Sequence, residues 1–479
     1  MAYTILFILN AIGMILELAA SRLMSPFFGN SNYVWTAIIG IILLAGSLGN
    51  LLGGKLSKHK DAKLILTILL FLTALYLAAT PLLSQPVLGD LRHFTDSIRV
   101  TSVIGGIIFF LIPATILGLA TPILMQDLLK SAKTKDQGEI SGKITAVIAI
   151  GSLIGTFAGG FWLIPWLGTK AIFISLAFIT VITALLLNPS LKNHQQKLGY
   201  YTAIAITAIA TITLAIFTYL HVDSHIISID TEYGRIIIED TEINGESVRL
   251  YKQSGAYSSA TYLHVDKQND IVYPYIKKYD DIFKFIDAKS TLMIGGAAYQ
   301  YPKYFIANYP DKTMDVVEID PMSTEIAKKY FFLKESPRLG LINEDGRIYL
   351  QNTTKAYDAI LNDAFAGENP VPTLATVEAA KLIKSKLNKN GVYFSNILGS
   401  VEGDDGKFLR AEVKTLSQVF HHVYILPVLP EYDLAEQHNW MVVATDNPYQ
   451  PTDAIKYDVS DDLILTDDYC PVENLIQKH

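Results

Sequence analysis

The 479-residue sequence holds one cysteine, Cys470, which excludes an internal disulfide framework and leaves the redox compartment open. Charge is scarce as well: 18% of residues are charged against 50% hydrophobic. The few charges are unevenly spread. Residues 1–222 carry 14 Lys and Arg against 7 Asp and Glu, a net of +7; the remainder carry 25 against 39, a net of −14. An acidic second half argues against nucleic acid as a partner and suits cationic substrates, as well as plain solubility. No basic segment precedes the first apolar run, so that run reads as a retained span and not a cleaved signal peptide.

What the first half does have is apolar length. Runs of about 20 residues, enough to span a bilayer, lie at 3–24, 33–54, 64–84, 101–125, 144–167, 169–188 and 200–221. This predicts a transmembrane domain of about seven helices over 1–222, with 85–100 as an amphipathic connection. Small residues recur at four-residue spacing (Gly46, Gly49, Gly53, Gly54; Gly151, Gly155, Gly159, Gly160), a pattern that allows close helix packing. Two charges lie inside the first run, Glu17 and Arg22. Five residues apart, they are about 140° apart around a helix and do not face each other. Arg22 can snorkel from the helix end; Glu17, mid-span, serves either a structural contact or a function.

The basic residues give a topology. Lys55, Lys58, Lys60 and Lys63 follow the second run; Lys130, Lys133, Lys135 and Lys143 the fourth; Lys192 and Lys197 the sixth. The other loops are poorer, with Arg22, then Arg92 and Arg99, then Lys170. Positive-inside reasoning puts the N-terminus in the cytoplasm, and seven spans then leave the second half outside.

From His225 the pattern changes to short alternating strands with turns at Tyr233-Gly234 and Asn244-Gly245. That predicts a small antiparallel β-hairpin subdomain over 223–278. Over 279–479 strands and helices alternate, which predicts an α/β Rossmann-like domain with a mostly parallel sheet. Its organising stretch is Ser290–Pro321, STLMIGGAAYQYPKYFIANYPDKTMDVVEIDP. A strand, the Gly295-Gly296 turn, a helix and a second strand (Asp315–Ile319) form a βαβ unit. The glycines let amides approach a ligand, and a carboxylate after the second strand, Glu318 with Asp320 beside it, can accept ribose hydroxyls. An ordinary glycine turn is the plainer reading. INEDGRIYL reads as a strand ending at Glu344-Asp345-Gly346, and Tyr357–Leu361 as a strand ending at Asn362-Asp363. Acids thus gather at three strand ends, where such folds bind ligands.

These residues resemble the spermidine synthase (polyamine aminopropyltransferase) family, in its membrane-bound version with a multi-span N-terminal domain. The resemblance rests on ELAASRLMSPFFGNSNYVWTAIIGIILLAGSLGNLLGGKL, PATILGLATPIL and GKITAVIAIGSLIGTFAGGFWLIPWLGT in the first half. In the second it rests on EYGRIIIED, QSGAYSSATYL, LMIGGAAYQYPKYF, VVEIDP, EDGRIYL, YDAILNDAFAGENPVPTLATVEAAK, NGVYFSNI and LTDDYCPVENL. It implies decarboxylated S-adenosylmethionine or S-adenosylmethionine as co-substrate, without a metal. It further implies Glu318 as the ribose carboxylate, Asp345 as acceptor of the adenine amino group, Gln253 at the nucleoside tail and Asp363 as the catalytic base. An ammonium is no nucleophile, so a carboxylate beside it must take a proton.

The departures are equally specific. The family's GGGDG loop is GGAAYQ here, with Ala297, Ala298 and Tyr299 in place of acid and glycine; a second aspartate is replaced at Ala366. The tyrosine–histidine pair of the amine gate has no match in QSGAYSSATYL beyond Tyr257. The nucleoside half of the site is kept, and the putrescine half is largely absent.

Three readings follow. The first is a membrane-bound transferase moving an aminopropyl-type group to an amine, or other cationic small molecule, other than free putrescine. The second is a degenerate synthase domain acting as sensor or lid for a membrane transport or binding module. The third is a methyltransferase or S-adenosylmethionine-degrading activity on the same fold. Against a catalytic role for Asp363 stands the plainer one of a turn or helix-capping aspartate. The expected partners are the lipid bilayer of the cell (inner) membrane, crossed several times, and the small molecule; a homo-oligomer is left open. Adenosyl sulfoniums are cytoplasmic metabolites, which favours a cytoplasmic second half against the positive-inside count.

Overall fold

The structure, a computed structural model, describes residues 1–476 apart from 30, 93, 96, 131–135, 188, 190, 192–193, 221–225 and 367–368. Lys133, Lys135 and Lys192, the run ends at 188 and 221, and the 222/223 boundary lie outside the described residues. The chain divides into two units: Met1–Ser224 with Ile229–Arg235, and His225–Ser228 with Ile236–His479.

The first unit is helical. It comprises α1 (Ala2–Phe28), α2 (Asn32–Leu56), α3 (Ala62–Arg92), α4 (Ile98–Gly106), a π-helical segment Ile107–Leu111, α5 (Ile112–Lys130), α6 (Gln137–Phe157), a second π-helical segment Ala158–Leu163, α7 (Ile164–Leu186) and α8 (His194–Leu220). Among the described residues six helices are long and apolar enough to cross a membrane: Ala2–Phe28, Asn32–Leu56, Ala62–Leu91, Ile98–Lys130, Gln137–Leu186 and Lys197–Thr218. The fifth has 50 residues, about 75 Å of helix, well beyond a hydrocarbon core of about 30 Å. Its backbone breaks at Gly168 (φ 73°, ψ 164°). The count among the described residues is therefore six helices against the seven expected, the fifth being broken at Gly168, where the sequence separates two runs. The stretch 85–100 differs from the expected connection, because α3 continues through Pro81 and Pro86 to Arg92.

Glycines set the closest helix contacts. A Cβ on Gly151 would stand 2.5 Å from the Phe7 carbonyl oxygen, and one on Gly155 2.5 Å from that of Ala11. On α2, a Cβ on Gly53 would meet the Leu119 carbonyl at 2.7 Å and the Pro122 ring at 2.6 Å. No side chain fits where two backbones touch. The two π segments share a local sequence that the alternation of apolar residues hides: Phe109-Phe110-Leu111-Ile112-Pro113 and Phe161-Trp162-Leu163-Ile164-Pro165. Proline lacks the N–H that would close the ladder, so each segment ends with an orphaned carbonyl upstream. Five residues before Pro113, the Ile108 carbonyl accepts from the Tyr76 hydroxyl. Arg22 donates to the Glu232 carbonyl at 2.5 Å, and Asp230 accepts from the Thr169 amide at 2.6 Å while pairing with Arg235.

The second unit opens with a four-stranded antiparallel sheet, β1 (Ile226–Asp230), β2 (Arg235–Ile243), β3 (Glu246–Gln253) and β4 (Ala256–Tyr262), in sequential order. Asn244 and Gly245 both take positive φ (52° and 79°), as a two-residue hairpin turn requires. Then follow α9 (Ile282–Phe285), β5 (Ser290–Ile294), α10 (Gln300–Asn308), β6 (Thr313–Glu318), α11 (Pro321–Tyr330), β7 (Leu339–Asn343), α12 (Gly346–Asn352), β8 (Tyr357–Asn362), the short pair β9 (Phe365–Ala366) and β10 (Asn369–Pro370), α13 (Val377–Ser385), β11 (Leu387–Gly399), α14 (Lys407–Leu416), β12 (His422–Pro427), β13 (His438–Thr445) and α15 (Val472–Leu475). The main sheet has the order β12-β13-β11-β8-β5-β6-β7. Strands β11, β8, β5, β6 and β7 pair in parallel, and β13 and β12 join antiparallel.

Alternate residues face opposite sides of that sheet: Leu292, Ile294, Ile360 and Tyr393 enter one core, Met293, Leu361 and Phe394 the other. INEDGRIYL is only partly strand. β7 stops at Asn343, and Gly346–Asn352 is helix because Asp345 Oδ1 accepts the amides of Arg347 (2.8 Å) and Ile348 (3.0 Å), an N-cap.

Candidate active site

The carboxyl ends of β5, β6 and β8 meet at Gly295. This residue has φ 93°, and a Cβ on it would lie 2.6 Å from the Asp363 carbonyl oxygen and 2.9 Å from the Ala364 nitrogen. Glycine is needed on both counts, conformation and space. A Cβ on the next residue, Gly296, would stand 2.9 Å from the Tyr299 ring. Tyr299, left-handed at φ 58°, is fully buried beneath the loop and its hydroxyl bonds Thr324 Oγ1 at 2.8 Å. It is a floor to the turn, out of reach of a ligand.

Glu318 fixes the loop from the neighbouring strand. Its Oε2 accepts the amides of Gly296 (2.8 Å) and Ala297 (2.9 Å), and its Oε1 that of Asp320 (2.9 Å). A carboxylate has about four acceptor positions, so one remains on Oε1. Burial pushes this carboxyl up, against the pull of those three amides. Asp320 accepts the Met322 amide at 3.0 Å as the N-cap of α11. Asp345 stands at the end of β7 as the α12 cap already described; both bonds use Oδ1. Gln253 ends β3, where the Tyr251 hydroxyl reaches its Oε1 at 3.3 Å and Ser323 Oγ at 2.7 Å. Gln253 is thereby tied to α11, the helix that follows Glu318.

Asp363 lies just beyond β8. Its Oδ1 accepts from Asn396 Nδ2 at 2.9 Å, and Asn396 Oδ1 accepts from Asn439 Nδ2 at 3.0 Å. Burial pushes its carboxyl up to about 6, against hydrogen bonds from Asn396 and the Tyr279 hydroxyl. Burial, and then the Asp363 charge, drive the hydroxyls of Tyr275 and Tyr279 far above the usual tyrosine range. Tyr275 stacks on Tyr273 with ring centroids 6.3 Å apart. Tyr257 is more than half exposed, and Lys252 Nζ stands 5.0 Å over its ring.

Several residues around the site do not stand out in the sequence. Tyr275 and Tyr279 sit in a 3-10 helix (Pro274–Asp281), and the YPYIKKY spacing is the available sign. Gln300, the first residue of α10, is 2% exposed, and neither its amide nitrogen nor its oxygen has a hydrogen-bond partner among the described residues. Lys303, one turn on, donates to Thr261 Oγ1 (3.0 Å), the Gln268 carbonyl (3.0 Å) and the Phe331 carbonyl (2.7 Å). Burial pulls its ammonium down to about 7. Lys303 is a tie between the small sheet and the main one. Among the described residues no group of three His, Cys, Asp or Glu is placed to hold a metal ion.

Residues 279–453 match the spermine/spermidine synthase domain. A polyamine aminopropyltransferase of Vibrio vulnificus is 32% identical over 136 residues, 28% of this chain and 44% of that one. Polyamine aminopropyltransferase 1 of Streptomyces coelicolor is 22% identical over 428 residues, 84% of this chain and 74% of that one. Among solved structures, a probable spermidine synthase from Corynebacterium glutamicum shares 20% identity at a TM-score of 0.44, over 50% of this chain and 96% of that one. The chain thus spans less than half of the Vibrio relative and about three quarters of the Streptomyces one. Residues 279–453 are thus similar to the spermine/spermidine synthase domain and, in part, to polyamine aminopropyltransferases.

Proposed function

We propose that the chain is a membrane-bound, spermidine-synthase-like transferase. It takes an adenosyl sulfonium, decarboxylated S-adenosylmethionine or S-adenosylmethionine, and passes an aminopropyl-type group to an amine other than free putrescine. The observation that carries this reading is Asp363: a half-buried carboxylate oriented by Asn396, against the glycine turn and beside half-buried Tyr275 and buried Tyr279. The relatives reported above support aminopropyl transfer in general.

In this reading Glu318 takes one ribose hydroxyl on the free position of Oε1, Asp345 takes the adenine amino group on Oδ2, and Gln253 contacts the nucleoside tail. The orphaned amide of Gln300 adds a donor and an acceptor next to the turn. Asp363 takes a proton from the acceptor ammonium. The freed nitrogen lone pair attacks the carbon beside the sulfonium, the C–S bond breaks, and its electrons return to sulfur as a neutral thioether. A base near 6 is largely ionised at neutral pH and still able to accept a proton, as general-base catalysis requires. The tyrosines give the ammonium π faces close to the base. The GGAAYQ loop lacks an acid for a second amine, which is why putrescine is set aside.

The test is turnover of purified full-length protein with decarboxylated S-adenosylmethionine and a panel of monoamines, diamines and polyamines, with products read by mass spectrometry. Methylthioadenosine formed only with an amine present supports the reading. Its absence with every amine, in a sample that binds the nucleoside, rejects it. The chemistry favours a cytoplasmic α/β unit and the positive-inside count an outside one, and a reporter fused after His479 reads the side.

A further inference from the structure

The transferase chemistry makes no use of LTDDYCPVENL, the stretch near the end of the chain. That stretch crosses two segments that flank the adenine end of the proposed pocket. We infer, given the nucleoside site proposed above, that Asp467 is a positioning residue for that end. It acts through Arg347 and Thr376 and fixes Asp345 relative to residues 372–376.

Backbone contacts lay the stretch down. The Leu465 amide donates to Thr415 Oγ1 at 2.9 Å, and the Leu465 carbonyl accepts from the Val377 amide at 2.9 Å. Thr466–Tyr469 closes as a tight turn, its two end residues exchanging backbone bonds at 3.0 and 3.1 Å. Val472, beyond the turn, is buried in the same core as Leu374 and Leu465. The turn is thus pinned on both sides. It presents Asp467, whose Oδ1 accepts from Thr376 Oγ1 at 2.6 Å and whose Oδ2 accepts from Arg347 Nη2 at 2.9 Å.

Both partners stand at helix starts. Thr376 is the N-cap of α13 and accepts the Ala379 amide at 3.1 Å. Arg347 lies in the first turn of α12, and its amide is one of the two that Asp345 accepts. Its Nη1 donates to the Thr373 carbonyl at 3.0 Å. One carboxylate therefore ties the start of α12, where Asp345 sits, to the start of α13. Between them, a Cβ on Gly346 would stand 2.5 Å from Ile294 Cγ2 and 3.7 Å from Leu374 Cδ1. The neighbour of Asp345, the residue before Gly295 and the segment held by Asp467 converge at that point.

A hydrogen-bond acceptor discriminates between bases only when it is held in place before the base arrives. An acceptor that can swing away loses little when its donor is missing. Asp345 has Oδ1 held by two amides, and Asp467 holds the helix start that supplies them. The Arg347 side chain is 14% exposed and that of Asp467 50%, and a pair this open to water adds little to stability. Its use is placement, and its removal should leave the fold intact.

The test is calorimetric titration of full-length protein in detergent with methylthioadenosine and with its analogue that has hydrogen in place of the adenine amino group. Wild type should prefer methylthioadenosine by about tenfold or more, as a hydrogen bond to a charged acceptor should give. Asp467→Ala should cut that preference at least several-fold, mainly by weakening methylthioadenosine. Arg347→Met should do the same, and the double variant should add little to either, since one pair is broken. Asp468→Ala, one residue on in the same turn, should keep the wild-type ratio. An unchanged ratio in Asp467→Ala, or an equal loss in Asp468→Ala, overturns the positioning role and leaves the nucleoside site standing. Equal binding of the two nucleosides by wild type, or binding of neither, overturns Asp345 as the adenine acceptor and the positioning role with it. If Asp467→Ala fails to fold, Asp467→Asn, which keeps the turn and one acceptor oxygen, carries the same comparison.

Discussion

Glycine does different work in the two units. In the helical unit, Gly151, Gly155 and Gly53 remove side chains so that two helix backbones can touch; the neighbour is a carbonyl oxygen, and the result is packing. In the α/β unit, Gly295 meets the backbone of Asp363 and Ala364 at similar distances, and it also needs a left-handed φ. There the result is the Asp363 backbone held against the turn, as the proposed chemistry requires. The same residue type, forced by the same sterics, brings helices together in one region and, in the proposed reading, shapes a ligand turn in the other. Spacing distinguishes them: four-residue repeats within an apolar run in the first, a doublet after a buried strand in the second.

The sharpest way to break the comparison is at Asp363. Asp363→Asn keeps the shape and removes the base, so kcat should fall by about 10² to 10⁴ while nucleoside affinity holds; intact turnover would return Asp363 to a turn residue. Next is the glycine pair. Gly295→Ala should destabilise the α/β unit by about 2–4 kcal/mol through overpacking and strain and abolish nucleoside binding. Gly155→Leu should loosen the helical unit, read as lost monodispersity in detergent, while nucleoside binding survives. If either substitution disturbs both units equally, the division of roles is wrong. Smaller is Gln300→Met. Removing a buried amide without partners should raise thermal stability, by about 1–3 kcal/mol, yet weaken nucleoside binding several-fold. A gain in stability with unchanged affinity would make Gln300 a packing residue.

The smallest effect is a shift in pH dependence. Only ionised Asp363 accepts a proton, and its folded value is about 6. Turnover should therefore rise as pH increases through about 6 and level off above it. The Asn396 amide favours the charged form, so Asn396→Ala should raise that value and move the limb to higher pH. A profile of kcat against pH for the two proteins reads the shift, and coincident limbs would remove Asn396 as the positioning group.

Much of the layout is legible in the sequence because it depends on local pattern. Apolar runs of membrane length, the Asn244-Gly245 turn and strands ending in Glu318 and Asp363 need only periodicity and turn chemistry. The stretch after Asn343 reads wrongly as strand because Ile348, Tyr349 and Leu350 favour one, while the cap that makes them helical is a single bond set from Asp345. The continuation of α3 through two prolines is hidden because proline reads as a stop. Tyr275, Tyr279, Asn396 and Lys303 are out of reach for another reason. Their hydrogen-bonding and charged partners are between 28 and 88 residues away in the chain, and only the folded sheet brings them together. Even the expected ribose carboxylate has a use the sequence does not show, since Glu318 spends three acceptor positions on its own loop.

The measurement that tests the account most directly is calorimetric titration of full-length protein in detergent. Decarboxylated S-adenosylmethionine, S-adenosylmethionine and methylthioadenosine would be titrated in turn onto wild type, Glu318→Ala and Asp345→Ala. The account predicts micromolar binding of at least one ligand to wild type, weakened at least about tenfold in each variant, as loss of a charged hydrogen bond should do. Folded wild-type protein that binds none of the three, or variants that bind as well as wild type, would contradict it.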